Sequence, residues 1–261
     1  MTRARILPDR EVEEHLLAEY ALVGGMDEVG RGSLAGPVSV GLAVVSRTTP
    51  AAFPPGLADS KQLTPRRREA LVEPCRAWAT DHAVGHASPA EIDSVGIIGA
   101  LRLAGQRALA EVATRGHLPG AIILDGTVNW LREPAPLTAG MLTDEYPLTS
   151  GEEAAAALAA PPVYTQVKAD AHCAVVAAAS VLAKVERDAL MAALPDPGYD
   201  WARNKGYASP AHVAGLARLG AGDFHRRSWH LPGLDRATGT VETVVADAPA
   251  RPAARGRAHW A

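Results

Sequence analysis

The chain has 261 residues and 48% apolar content, enough for a full hydrophobic core in one large domain or two small ones, which excludes a small stapled scaffold and wholesale disorder. Lysine and arginine number 26 against 29 aspartates and glutamates, a net charge of −3, so bulk charge advertises no nucleic-acid or acidic-surface partner. The two cysteines, Cys75 and Cys173, form no CxxC pattern, which argues against a disulfide framework or a four-ligand zinc site and fits a reducing compartment.

In chain order, the N-terminus lacks the continuous apolar stretch of a signal peptide, and Asp9 is placed to cap a short helix whose Val12, Leu16 and Tyr20 share a stripe. Strands are expected over 21–28 and 37–46, separated by the glycine-rich VGRGSLAG, a hairpin-like start to a sheet. Thr64 and Pro65 open a helix through RRREALVEPCRAW, and a third strand is expected over 82–87. Ser88, Pro89 and Glu91 supply an N-cap, a first-turn proline and a capping-box glutamate for a long helix running towards Arg115. The apolar run 121–124 suits a strand buried on both faces and ends in Asp125.

Residues 126–162 hold five prolines, and five acids against the single Arg132, the composition of an insertion or a functional loop. A strand over 163–167 follows, then a helix over about 171–194 with a small-residue face for close packing on the sheet. A shorter helix is started by Ser209 and Pro210 and stopped by Gly220. From about Leu231 the periodicity is lost and a mobile tail is expected. The longest apolar run, 173–183, falls short of the ~20 residues of a bilayer span, so a cytoplasmic protein with no membrane contact is expected. Strands first antiparallel and then alternating with helices point to an α/β fold, a mixed sheet flanked by helices. Its expected divisions are a leading helix over 1–19, a main domain over 20–230 and a tail over 231–261.

Acids at the ends of apolar strands carry the chemistry. Asp27 and Glu28 end the first strand and run into Gly30, Arg31 and Gly32; Asp125 ends another before a glycine; Asp170 stands at a strand-to-helix junction. One such acid is ordinarily a solvated strand end, but three independent cases argue for a shared site. Converging carboxylates repel and raise one another's pKa unless a cation intervenes. Oxygen-only ligands select a hard ion, Mg²⁺ or Mn²⁺, and two ions ~3.5 to 4 Å apart would stabilise the attacking and leaving oxygens of a phosphodiester hydrolysis. Neighbours on a strand point to opposite faces, so Asp27 and Glu28 share a site only if the chain bends there. Asp188 lies too far along the predicted helix to join Asp170, and His172 and Cys173 suit core or first-turn roles.

Six ordered blocks carry a resemblance. GMDEVGRGSLAGPV, DSKQLTPRRRE, AIILDG, VKADAHCAVVAAASVLAKVERD, NKGYASPAH and DFHRRSWH are similar to the signatures of bacterial ribonuclease HII, the type 2 ribonucleases H, over about residues 20–230. The resemblance implies a ribonuclease H-like fold and an endonuclease that cuts the RNA strand of RNA/DNA hybrids and nicks 5′ to a single ribonucleotide embedded in duplex DNA. The ends left would be a 3′-hydroxyl and a 5′-phosphate, which initiates ribonucleotide removal. It implies that Asp27, Glu28, Asp125 and Asp170 are the catalytic, metal-binding carboxylates of a site for Mg²⁺ or Mn²⁺.

The resemblance also implies that Gly30, Arg31 and Gly32 read the ribose 2′-hydroxyl. Glycine lets backbone approach a sugar closely, and the 2′-hydroxyl distinguishes RNA from DNA. Tyr207 would pack on the deoxyribose that follows the ribonucleotide. Ser60 and Lys61 would line the nucleic-acid channel, Lys61 as a phosphate contact, and Lys184, Arg226 and Arg227 are further candidates for backbone contacts. A monomer is expected. Residues 126–162 contribute 1 − 5 = −4 of the −3 total, leaving +1 elsewhere, so the bulk charge does not exclude a nucleic-acid substrate.

Overall fold

The computed structural model of the protein describes residues 7–132 and 161–234. Strands β1 (Leu22–Val29), β2 (Val38–Ser46), β3 (Asp81–Ala87), β4 (Ala121–Asp125) and β5 (Val163–Gln166) form one sheet in the order β3-β2-β1-β4-β5. The pairs β1–β2 and β2–β3 are antiparallel, and β1–β4 and β4–β5 are parallel, the mixed topology expected from the order of elements. The helices are α1 (Glu11–Glu19), α2 (Pro65–Trp78), α3 (Pro89–Thr114), α4 (Ala169–His172), α5 (Ala174–Ala193), α6 (Trp201–Asn204) and α7 (Pro210–Leu219).

Strand alternation divides the core between the two faces of the sheet. Met26, Leu42, Val44, Ile122 and Leu124 cluster with Leu101, Ala104 and Ala108 of α3. Val23, Ala43, Val45 and Ile123 cluster with Val175, Ala178, Ala179 and Leu182 of α5. The small-residue face of α5 sits directly on two strand glycines: a Cβ on Gly25 would stand 2.7 Å from the Val175 backbone, and one on Gly41 would strike the Ala179 carbonyl. Ser39, His86 and Glu186 tie β2, β3 and α5 together, with His86 Nδ1 2.7 Å from Ser39 Oγ and Nε2 2.9 Å from Glu186. Ser39 is fully buried, so the trio is a tie and not a nucleophile with its base.

Three elements differ from the sequence expectation. The helix expected over 171–194 breaks at Cys173, which is extended. Asp9 bridges that break, donating to His172 O (2.8 Å) and accepting from Ala174 N (2.9 Å), while the buried Glu13 carboxylate accepts from Val175 N (2.6 Å) at the start of α5. Asp9 therefore does not cap α1 from the N-cap position, which Arg10 occupies, although its carboxylate accepts from Glu11 N. The long α3 has its capping box but is kinked at Gly96, where φ is +70°, a conformation open to glycine. The kink leaves Asp93 to accept from the backbone N–H groups of Arg227 and Ser228.

Most of the insertion expected over 126–162, and all but the first residues of the tail expected over 231–261, lie outside the described residues. Among the described residues no helix is long and apolar enough to cross a membrane. Because α5 has no slack above Gly41, Gly41→Ala should overpack the interface and cost about 1–3 kcal/mol, lowering Tm by roughly 2–10 °C. An unchanged midpoint in a thermal melt would contradict that packing.

Candidate active site

Strand β1 carries Asp27 and Glu28 in unbroken register, opposite Gly41 and Val40 of β2. The chain bends only after Val29, so the two acids keep opposite faces of the sheet. Asp27 lies beneath α5, 4% exposed, while Glu28 keeps 18% of its side chain in solvent beside Arg31, at 3.4 Å. Asp125, at the end of the neighbouring parallel strand, continues the α5-facing positions Ala121 and Ile123. Its Oδ1 accepts from Ala169 N at 2.7 Å, which fixes the start of α4. Asp170 in that helix is buried and pairs with the Lys61 ammonium at 3.2 Å.

Burial is the main reason the Asp27 carboxyl is pushed up to about 8, and the neighbouring Glu28 and Asp170 charges add to it. The same cause raises Glu28, with Asp125 adding repulsion. It raises Asp170 too, again with Asp125 adding repulsion. Desolvation works against the Lys61 charge, yet Asp27 and Asp170 hold its pKa above the usual value. The carboxylates thus feel one another across the end of the sheet, and Lys61 is a counter-charge for three of them, Asp27, Glu28 and Asp170. As the side chains stand, no three Asp, Glu, His or Cys groups among the described residues converge on one point. Asp125 is turned onto a backbone N–H and Asp170 onto Lys61, and β1 separates Asp27 from Glu28.

The glycine-rich loop is held from below by two arginines absent from surface contact. Arg226 is fully buried and donates to the carbonyls of Gly30 (2.7 Å), Arg31 (2.9 Å), Gly36 (3.1 Å) and Pro37 (3.2 Å). Arg187 of α5, also fully buried, donates to Pro37 O (2.8 Å), Ser33 Oγ (2.7 Å) and Lys205 O (3.1 Å). Gly30 has φ +82°, and a Cβ there would collide with the Arg187 guanidinium. The loop is joined to the next expected site residue through Gly206, whose carbonyl accepts from Leu34 N (2.8 Å) and Ala35 N (3.3 Å). Tyr207 follows, 38% exposed, with the Arg187 guanidinium 5.8 Å from its ring centre. Gly32 has open space around its α-carbon and the Arg31 side chain is 48% exposed, so this edge of the loop faces solvent.

Two expected contacts are corrected. Arg226 cannot meet a nucleic-acid backbone because it is spent on the loop carbonyls. Ser60 is buried, its hydroxyl accepting from that of Ser180 at 2.8 Å, and does not line an open channel. Lys184 keeps 19% of its side chain in solvent and pairs with Asp188 at 2.7 Å on the next turn of α5, which accounts for Asp188. Arg227 remains at the surface beside Asp223, and Cys173 is buried, in keeping with a core role. Sequence reasoning missed Arg187, Ser180 and Glu13. Helical periodicity offers a signal for Arg187, which falls on the stripe of Val176, Ser180 and Ala183.

The raised Asp27 pKa sets a pH dependence. A carboxyl whose folded-state pKa lies above its unfolded value favours folding at low pH, and that contribution is lost as pH rises from about 4 towards the folded value. In chelator, wild-type Tm should fall as pH is raised from 5 to 8, and Asp27→Asn should flatten the fall and melt at or above wild type at pH 8. A variant that melts lower than wild type at pH 8 would contradict the charge cluster.

The Ribonuclease HII family matches residues 24–231. Ribonuclease HII of Streptomyces avermitilis is 42% identical over 226 residues, which cover 85% of this chain and 83% of that protein. The Thermus thermophilus protein of the same name is 40% identical over 208 residues, 79% of this chain and 85% of that one. The structure of the PCNA:RNase HII complex from Archaeoglobus fulgidus is similar with a TM-score of 0.54 at 23% identity, covering 85% of this chain and 98% of that one, and bears on the fold. With an RNase H-like fold and relatives matched over most of their length, the chain belongs to the ribonuclease HII family and is a ribonuclease H-type nuclease.

Proposed function

We propose that the protein is a metal-dependent endonuclease that hydrolyses the RNA strand of RNA/DNA hybrids and nicks duplex DNA 5′ to a single embedded ribonucleotide. The products would be a 3′-hydroxyl and a 5′-phosphate, and the nick would begin removal of the ribonucleotide. The observation that carries this reading is the coupling of the carboxylate-bearing strand end to a glycine-rich loop tied through Gly206 to an exposed tyrosine.

The donor set of Asp27, Glu28, Asp125 and Asp170 is all oxygen, which fits Mg²⁺ or Mn²⁺, and the Lys61 ammonium already stands as a cation against Asp170 and Asp27. Holding ions there would ask Asp125 and Asp170 to re-aim from Ala169 N and Lys61, and Glu28 to reach around the end of β1 towards Asp27, with whose charge it already interacts. Divalent ions held there would supply a water of lowered pKa and would offset charge on the departing oxygen. The chain's own residues do the rest. Gly30, Arg31 and Gly32 bring backbone against the ribose 2′-hydroxyl, which recognises the sugar and takes no part in attack. Tyr207 offers its ring to the following deoxyribose, and Lys61, 70% exposed along its side chain, swings to a phosphate when Asp170 turns away. All these side chains come from one chain, so a monomer suffices.

The test is a duplex DNA carrying one ribonucleotide, incubated with Mg²⁺, Mn²⁺ or chelator. A single metal-dependent nick 5′ to the ribonucleotide is expected, and binding without cleavage under either metal would overturn the enzyme reading. The Arg31 guanidinium, half exposed beside the loop, adds a contact of its own to the substrate backbone, so Arg31→Ala should lower kcat/KM on this substrate about tenfold, equivalent to one charge-assisted hydrogen bond, with little change in Tm. An unchanged cleavage profile would remove the Arg31 side chain, though not the loop backbone, from recognition.

A further inference from the structure

We propose that His212 is a positioning residue for junction recognition: its Nδ1–H, oriented by a one-way hydrogen-bond chain through His225, holds the Tyr207 backbone at its set distance from the glycine-rich loop. The proposal rests on the reading of Tyr207 as a substrate contact.

The direction of the chain follows from which groups can only donate. The Trp201 indole N–H is a donor only and lies 3.3 Å from His212 Nε2, so that nitrogen carries no proton and the imidazole proton sits on Nδ1. His212 Nδ1 is 2.9 Å from the Tyr207 carbonyl, which can only accept. At the other end, the Gly222 backbone N–H donates to His225 Nδ1 at 3.0 Å, which places the His225 proton on Nε2, 3.0 Å from His212 Nε2. Every hydrogen thus points from Gly222 and Trp201 towards Tyr207, with the one Nε2 lone pair of His212 shared between the Trp201 and His225 N–H groups, and a proton added to either ring would set two donors face to face.

The surroundings hold both rings neutral. Desolvation pushes His225 down to about 4, with His212 opposing a second charge, and desolvation likewise lowers His212. The charged groups that act on the pair are Asp196 on His212 and Arg227 on His225. Tyr199 stacks on Trp201 with ring centres 4.8 Å apart and meets both histidines edge-on, so the pair is buried in aromatic surface.

The chain spans the two halves of the recognition site. His225 forms a bridge with Ala35 of the loop, and the next residue, Arg226, holds the Gly30 and Arg31 carbonyls. His212, on α7, holds Tyr207. The imidazole–imidazole bond therefore links the group that meets the ribose to the group that meets the next sugar, alongside the direct bond from Leu34 N to Gly206 O.

The test compares His212→Asn, whose side-chain amide can replace the Nδ1 donor, with His212→Gln, whose amide reaches only the Nε2 position. The readout is kcat/KM on a single-ribonucleotide duplex divided by kcat/KM on a continuous RNA/DNA hybrid. His212→Gln should lower this ratio ~3- to 10-fold, the value of one hydrogen bond, and His212→Asn should keep it within about twofold. A wild-type ratio in folded His212→Gln overturns the proposal. Nitrogen-15 spectra of the wild-type imidazoles need no variant: Nδ1–H on His212 and Nε2–H on His225 are expected at pH 7, and the opposite tautomers overturn the proposal. Wild-type protein that fails to nick the single ribonucleotide would overturn the functional reading instead, and the tautomers would still be measurable.

Discussion

Two buried guanidinium groups, with backbone carbonyls and a serine hydroxyl as their hydrogen-bond partners, are the constraint on which the site depends. Residues 30–37 connect β1 to β2 without a strand ladder, so their carbonyls need other donors once covered. Arg226 and Arg187 supply those donors. The arrangement is costly, because a buried charge loses its hydration, and desolvation together with the neighbouring Arg187 pushes the Arg226 pKa down to about 9. Such a charge persists when its N–H groups are satisfied by fixed dipoles. The guanidinium fork, planar with five donors, suits that task where an ammonium does not. Removing one arginine would orphan several loop carbonyls at once.

Sequence and geometry are linked here at single atoms. Gly30 is required by its positive φ and by the guanidinium that occupies the place of its side chain. Arg187 reaches the loop because α5 lies flat on β1 and β2, and α5 lies flat because Gly25 and Gly41 give it room. The same close packing buries Asp27 and raises its pKa. Glycine-rich loop, helix seating and carboxylate electrostatics are therefore consequences of one packing decision, a small-residue helix on a glycine-bearing strand pair. The strain of clustered acids is relieved by Lys61, which in the proposed reaction exchanges its carboxylate for a phosphate.

Much of this was legible in the sequence. The strands, the hairpin start, the capping box and the small-residue face follow from periodicity and cap chemistry, which act locally. Asp27, Glu28, Asp125 and Asp170 stood out because acids ending apolar strands need a reason. The break at Cys173 was not legible, since its cause is Asp9, some 160 residues away, inserting its backbone between two helical turns. Arg226 read as a surface cation because nothing local marks an arginine that folds inwards to meet a distant loop. Ser60 was misplaced for the same reason: its partner, Ser180, is known only once α5 is seated.

Arg226 holds the glycine-rich loop from beneath, and amide hydrogen exchange in Arg226→Lys tests that most directly. Lysine keeps the charge but cannot span the carbonyls of Gly30, Arg31, Gly36 and Pro37. Exchange at Ser33, Leu34, Ala35 and Gly36, whose amides bond within and across the loop, should speed up at least about tenfold, the value of ~1.4 kcal/mol of local opening. Exchange along Val23–Met26, paired to both β2 and β4, should hold its wild-type rate. Loop amides protected as in wild type, or a speeding spread evenly over both segments, would contradict the account.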